Sequence, residues 1–475
     1  MTRYLCTLAL VCACLVVPSA APGTLAIVGG TLIDGNGGPP VPNSIVVAEN
    51  GRILAVGKAG EITPPPGAQR IDASGKFVIP GLMDANVHLM LGSSIEYIVR
   101  HEGRYEDLIE EAAQVALKNG LTTVFDSWGP LQPLLNVRER VNGGSVPGSR
   151  MFVAGNIVGF TGPFGHDFNG AAETTATRAL VTRINAIWEE NTGPDLMYLT
   201  PDQLRVEIRK YIGRGIDFLK YGATGHREEY FIMFSPEAQK VIVEECHRAG
   251  IVVQTHQTNV EGLRLVLEAG VDMMQHADWT GPVPIPPSTI DLMLQKKAFA
   301  AVQPLTAKRM EIVIRQAAAD PPGSRRREKT ITQDQNDRAL IRSRVPLLLA
   351  TDAGMMDPDA FDSMNPATRA ERSTELGEGH FLWFRAMHEK GMAPMDMIQA
   401  ATRNIAAAYH RLSDLGTIEK GKRADVVVLE ANPLDDIENV RRIASVIKDG
   451  QVVDRSVLPL KKLLSVRRGS SNQQE

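Results

Sequence analysis

Between residues 24 and 76 apolar and polar positions alternate in short runs: "LAIVGGTLIDG", "NSIVVAENGRILAVG", "AQRIDASGKFV". Alternate side chains of a strand point to opposite faces, so each run predicts a half-buried strand. Asn50-Gly51 in "ENGRI" predicts a tight hairpin, because both residue types tolerate positive φ. Residues 414–455 read the same way, with "GTIEKGKRADVVVLEANP", "SVIKDGQVVD" and a second turn at Lys448-Asp449-Gly450. The two chain ends are therefore expected to build one small β-sandwich from residues 22–80 and 413–458, with residues 81–412 inserted between them.

In that insert the alternation gives way to continuous apolar runs. One ends at His88, and others cover roughly 121–126, 151–158, 216–221, 251–256, 271–276, 299–303 and 345–352. Unbroken apolar runs are what parallel strands buried on both faces show. Helical stretches separate them. Thr200-Pro201 and Ser235-Pro236 each place a capping side chain before a proline at the first helical position. "HRAGI" and "LEAGV" each stop a helix at glycine and lead directly into a strand. Eight strand–helix units predict an α/β fold, a (β/α)8 barrel with its site at the carboxyl ends of the strands. Residues 310–337 are highly charged and are expected to be solvated.

Composition narrows the picture. The chain has 475 residues, 43% hydrophobic and 22% charged, which is ordinary for a globular protein. A net charge of −4 gives no electrostatic case for nucleic acid or an anionic membrane. Residues 1–21 look different: Arg3, an apolar run from Leu5 to Val17, then Pro18, Ser19, Ala20 and Ala21. This is the pattern of a cleaved signal peptide, too short to span a bilayer comfortably. It implies export to the periplasm or beyond, with no stable membrane span after removal; "VCAC" also admits lipid attachment at Cys14. Cys6, Cys12 and Cys14 all lie in that segment, so the mature chain keeps only Cys246, expected to be a core residue. Residues 459–475 read as a polar tail.

The polar residues that close the strands carry the chemistry. Asn86 and His88 end the first strand, Lys220 lies near the end of the fourth, His256 ends the fifth, His276 the sixth and Asp352 the eighth. Any one of them alone has a structural explanation, as a core histidine or a helix cap. Barrel closure would bring all six to one point. Imidazoles and a carboxylate around one centre suit zinc or a similar divalent ion.

These segments resemble the amidohydrolase superfamily, in its imidazolonepropionase-like and Xaa-Pro-dipeptidase-like branch. "VIPGLMDANVHL", "DFLKYGATG", "CHRAGIVVQTH", "LEAGVDMMQH", "LLLATDAG" and "AATRNIAAAYHRLSDLGTIEKGKRADVVVLEANPL" carry the resemblance. It implies a metal-dependent hydrolase of a C–N bond: amide, peptide, urea or carbamate-type. The ligands would come from Asn86, His88, Lys220, His256, His276 and Asp352. Asp352 would act as the base and His276 would polarise the carbonyl. Asn86 departs from the family's His-x-His, and in this the chain resembles phenylurea hydrolases and molinate hydrolase. Losing an imidazole there favours one ion per chain; two remain open if Lys220 is carboxylated rather than an ordinary ammonium. His166, Tyr221 and His226 are expected at the small-molecule substrate, with Trp128 and Trp279 as walls or contacts. Family habit suggests a homo-oligomer. The competing readings are an exported dipeptidase or carboxypeptidase-like relative, and a non-catalytic binding relative.

Overall fold

The computed structural model describes residues 23–90 and 94–465. The expected signal segment, with Cys6, Cys12 and Cys14, lies outside the described residues, as do residues 466–475 of the expected tail. Among the described residues no helix is long and apolar enough to cross a membrane.

The N-terminal part gives β1 (Leu25–Leu32), β2 (Val41–Glu49), β3 (Arg52–Lys58), β4 (Gln69–Asp72) and β5 (Phe77–Pro80). The insert supplies β6 (Leu82–Val87), β7 (Leu121–Asp126), β8 (Arg150–Val153), β9 (Phe218–Gly222), β10 (Val252–His256), β11 (Met273–Gln275), β12 (Phe299–Val302) and β13 (Leu347–Leu349). The C-terminal part adds β14 (Val426–Leu429), β15 (Ile443–Lys448) and β16 (Gln451–Val452).

The two ends meet edge to edge. β5 pairs with β1 on one side and, antiparallel, with β14 on the other, giving one eight-stranded mixed sheet. The expected sandwich is thus a single hydrogen-bonded sheet, because β5 joins both halves. It also curls back on itself: the Asn50-Gly51 turn reaches the segment before β14 through Ile53 N to Lys422 O (2.8 Å) and Ala424 N to Gly51 O (2.9 Å). Asn50 and Gly51 both have positive φ, at 51° and 77°, as do Asp449 and Gly450, at 49° and 71°. Both predicted turns form for the reason their residues suggest. Leu25, Ile27, Val46, Val78, Val426 and Ile447 fill the space enclosed.

The insert's strands are parallel throughout. They form a five-stranded sheet in the order β13-β12-β11-β10-β9 and a three-stranded sheet in the order β6-β7-β8. Single bridges connect the two sheets at both ends, Val87 with Ala353 and Val158 with Tyr221. At the first seam His88 N donates to Ala353 O and Asp352 N to Asn86 O, both at 2.8 Å. Buried Asp84 reinforces that seam by accepting from Thr351 Oγ1 at 2.6 Å. Burial pushes its carboxyl up to about 7 against the Thr351 hydrogen bond.

Helix signals hold where they were read. Thr200 caps Pro201–Ile212 with a capping box, and Ser235 caps Pro236–Arg248. Cys246, on the latter helix, is buried and free. The charged stretch at 310–337 is exposed or half-buried over most of its length, as expected, but its last turns are not. It forms the helices Ala307–Ala317 and Arg326–Ser343, and the second buries Thr330, Gln333, Asn336 and Asp337. Two of those polar groups have hydrogen-bond partners inside: Gln333 Nε2 donates to Asp278 Oδ2 at 2.7 Å and Asn336 Nδ2 to Asp278 O at 2.9 Å. Residues 459–465, the described part of the expected tail, are also held. Glu111 is buried and accepts from the backbone N–H of Leu463, Leu464 and Ser465.

The terminal sheet is tied to the insert by a buried charge. Arg150 at the start of β8 donates to Asp425 and, at 2.5 Å, to Asp449. Arg423 reaches the same Asp449 at 2.8 Å.

Candidate active site

The donors arrive on short strands whose ends turn sharply. His88 follows β6, His256 closes β10, His276 follows β11, and Asp352 lies three residues past β13. His276 and Asp352 both adopt positive φ, 53° and 55°. For a residue other than glycine this costs about 1–2 kcal/mol, and such strain gathers where a side chain must be re-aimed. Here it breaks each strand where the side chain enters the interior.

His88, Lys220, His256, His276 and Asp352 line one cavity of about 270 Å³. Ile98, Trp128, Ile157, Pro163 and Phe168 form its apolar side. His226, Asn169, Gly354, Met356 and Arg372 complete it. Trp128 stacks on Phe168 with centroids 4.0 Å apart, and its indole N–H donates to Asn156 Oδ1 at 3.1 Å. The wall is therefore fixed as well as apolar.

Asp352 is the hub. Its Oδ1 accepts from Asn86 Nδ2 at 2.7 Å and lies 2.8 Å from His88 Nε2 and 3.9 Å from His276 Nε2. Among the described residues no side chain hydrogen-bonds its other oxygen, Oδ2. Burial opposes its ionisation, yet His88, His276 and Lys220 hold the carboxyl well below the usual range. Burial pushes the histidines the other way: His88 lies below its ordinary value, His256 well below, and His276 falls to about 3. Neutral imidazoles keep a free lone pair. His256 Nε2 is buried with no hydrogen-bond partner.

Asn86, expected among the metal donors, takes a different position. Its Oδ1 accepts from Ser127 Oγ–H and, at 3.4 Å, from Lys220 Nζ, while its Nδ2 donates to Asp352. An ammonium can only donate and a carboxylate can only accept, so the amide orientation is fixed by its neighbours. The oxygen thus faces the buried lysine and the N–H₂ faces the hub. Lys220 also donates to Ser127 Oγ at 3.0 Å. Burial pulls its ammonium down to about 8, against Asp352 and Asp126.

The expected substrate contacts divide. His226 lines the cavity, 5.2 Å from His256 between ring centroids, with Nδ1 on Asp167 O at 2.8 Å. His166 is exposed and does not line it; its Nε2 pairs with Glu228 Oε1 at 2.8 Å. With Arg227 Nη2 donating to Phe168 O at 3.1 Å, these bonds clasp the loop after β8 to the loop after β9. Tyr221 points away, because its neighbour Lys220 points in and strand side chains alternate. Its hydroxyl donates to Gln239 Oε1 on the helix behind, at 3.1 Å. Trp128 is part of the wall, whereas Trp279 is 38% exposed beside His276. Phe168 and Arg372 on the cavity wall and Ser127 beside Asn86 are not among the expected residues. Ser127 follows Asp126 at the end of β7, as other polar residues follow other strands, and that position was the available signal.

Whether this donor set suits a metal ion can be judged from its spacing. Among the described residues no group of three His, Cys, Asp or Glu side chains stands ready to hold an ion. Ligand atoms of a tetrahedral zinc with bonds of about 2.0–2.1 Å lie about 3.3 Å apart. The separations of 2.8 and 3.9 Å to Asp352 Oδ1 fall on either side of that value. The unpartnered His256 nitrogen, the neutral imidazoles and the ionised carboxylate are donor types that a divalent ion takes, and the two separations to Asp352 would each have to change by about half an ångström to share one.

The amidohydrolase family profile matches residues 77–453. The chain belongs to the amidohydrolase family. This amidohydrolase is similar to the solved structure of molinate hydrolase, with 41% identity and a TM-score of 0.90 over 96% of this chain and 100% of that one. Phenylurea hydrolase B gives 38% identity and a TM-score of 0.88 over 94% and 100% of the two chains. Ochratoxinase from Aspergillus niger is 26% identical over 447 residues, 89% of this chain and 85% of its own. The protein is accordingly an enzyme of the amidohydrolase family.

Proposed function

We propose that this amidohydrolase is a metal-dependent hydrolase that cleaves an amide, peptide, urea or carbamate-type bond of a small molecule with an activated water. The observation that carries the reading is the convergence of His88, His256, His276 and Asp352, from four separate strands, on one cavity with Lys220. The same reading takes the eight parallel strands as one barrel, its two seams bridged at Val87–Ala353 and Val158–Tyr221. It also takes the N-terminal segment as an export signal.

His88, His256, His276 and Asp352 are the residues that would hold the ion. A divalent ion in such a site supplies acidity, drawing electron density from the substrate carbonyl and making water easier to deprotonate. Asp352 does the proton work. Asn86 and His88 engage its Oδ1, which leaves Oδ2 to take a proton from the attacking water and return it to the leaving nitrogen. Asn86 keeps that carboxylate in one orientation, and Ser127 and Lys220 keep Asn86 in one orientation. His276 has an alternative role: free of the ion, its imidazole N–H would instead stabilise charge developing on the carbonyl oxygen. Trp128 and Phe168 hold the apolar part of the substrate and keep bulk water out.

The test is a hydrolysis screen over N-acyl amino acids, dipeptides, phenylureas and thiocarbamates, with and without chelator. At least one class is expected to turn over, and chelation is expected to abolish that turnover. Turnover that survives exhaustive chelation would refute the metal-dependent reading.

A further inference from the structure

Among the described residues, the cavity lining holds one cation that the chemistry above does not use. Arg372 lines it, on the segment after β13, while Lys220 is already engaged by Asn86 and Ser127. The only charged partner within reach of Arg372 among the described residues is Glu375, whose Oε2 lies 3.5 Å from Nε. That approach makes no hydrogen bond: both Arg372 Nε and Glu375 Oε2 are buried without one. No hydrogen bond from the two terminal nitrogens of Arg372 occurs among the described residues. Among the described residues Asp352 is the only carboxylate in the cavity lining, and its Oδ1 already serves Asn86 and His88.

A second guanidinium near Arg372 is also short of partners, although Glu371 favours its charge. Burial, Arg372 and Arg326 together work against the charge of Arg309, whose Nη1 is buried and unpartnered. Neighbouring guanidiniums with open donors, one of them on a cavity wall, form a site that an anion would complete. Their planar forks match a carboxylate in two-point fashion. The apolar residues of the cavity come from another part of the fold: Ile98, Trp128, Ile157, Pro163 and Phe168 follow the first three strands of the insert. One small pocket thus offers an aromatic wall, a hydrolytic centre and an open guanidinium.

We propose that Arg372 binds a carboxylate of the substrate, so that this enzyme acts on N-acyl amino acids or dipeptides with a free carboxyl group rather than on neutral ureas or thiocarbamates. The proposal rests on the amide-hydrolysing reading of the same cavity and gives its substrate class. A volume of about 270 Å³, near the lower end for ligand pockets, suits one amino-acid side chain and a short acyl group.

The test compares N-acetyl-L-phenylalanine with N-acetyl-2-phenylethylamine, which keeps the amide and the ring and lacks the carboxylate. Acetate release by the metal-loaded enzyme is expected to favour the acid by at least about tenfold in kcat/KM, mainly through KM, as a charged hydrogen bond gives. Arg372→Gln is expected to bring that ratio to within about threefold, with Arg372→Lys between the two. A wild-type ratio within about threefold, or an unchanged ratio in Arg372→Gln, overturns the proposal. Calorimetric binding of both compounds to wild type and Arg372→Gln separates this idea from the catalytic one. If neither compound is cleaved yet the acid binds at least about tenfold tighter in wild type alone, the carboxylate site stands and the amide-hydrolysing reading is what fails. Equal binding of the two compounds overturns the carboxylate site.

Discussion

Replacing Asn86 by leucine removes the one side-chain amide that orients Asp352 without changing the volume greatly. The residue is fully buried and spans three partners: Asp352 Oδ1 at 2.7 Å, Lys220 Nζ at 3.4 Å and the Ser127 hydroxyl. A hydrogen bond to a charged group is worth about 1.5–3 kcal/mol. If that whole amount holds the base in its working orientation, losing it lowers the rate by about 10- to 100-fold, at 1.36 kcal/mol per decade. Outer partners of metal sites lose activity over a similar range of about 10–100-fold when mutated. The effect is expected in kcat/KM at saturating metal, with metal content measured on the same samples. Ser127→Ala acts through Asn86, so it is expected to cost less, about 3- to 10-fold, by letting the amide rotate. In the double variant the Ser127 change is then expected to add nothing to Asn86→Leu. Multiplicative losses in the double variant, or a drop under about threefold in Asn86→Leu, refute the positioning argument.

Three further outcomes follow from the same geometry. Arg150→Ala leaves Asp425 buried beside the terminal sheet without its cation, and should lower the unfolding free energy by about 3–5 kcal/mol; a urea titration reads this as a lower midpoint, and adding Asp425→Ala should recover part of the loss. Hydrogen bonds from Arg209 and then from Arg205 and Arg248, against the opposing effect of burial, lower the Glu245 carboxyl to about 2 from an ordinary 4.5. Its stabilisation is present above 4.5 and lost as pH falls toward 2, so Glu245→Gln should flatten the loss of stability across that window, and an unchanged acid profile would contradict the assignment. Asn86→His restores a second imidazole to the strand-one pair; metal analysis should show occupancy rising above that of wild type if Lys220 can be carboxylated, and unchanged occupancy rules out a bridging lysine.

Much of this centre is legible in the chain because its logic is periodic. Each buried parallel strand is an unbroken apolar run, and a histidine or aspartate closing such a run is conspicuous; His88, His256, His276 and Asp352 were all found that way. What stays hidden depends on contacts far apart in sequence. Asn86 looks like a replacement ligand until Lys220 and Asp352, 134 and 266 residues away, fix which end of the amide faces which partner. Tyr221 and His166 were expected at the substrate from their nearness to strand ends. Side-chain alternation turns Tyr221 outward, and a carboxylate on the next loop holds His166 at the surface. Arg372 gives no periodic signal at all, since it lies in an irregular segment that becomes a cavity wall only once β13 is in place. The last turns of the charged stretch at 310–337 mislead for a related reason: polar residues can be buried when another buried polar group, here Asp278, satisfies them.

Elemental analysis of purified protein, wild type and His88, His256, His276 and Asp352 single alanine variants, tests the proposed shared cation most directly. About one divalent ion per wild-type chain is expected, with marked loss in each variant and with activity following metal content. Full activity in protein with no bound metal, or undiminished metal in all four variants, would contradict it.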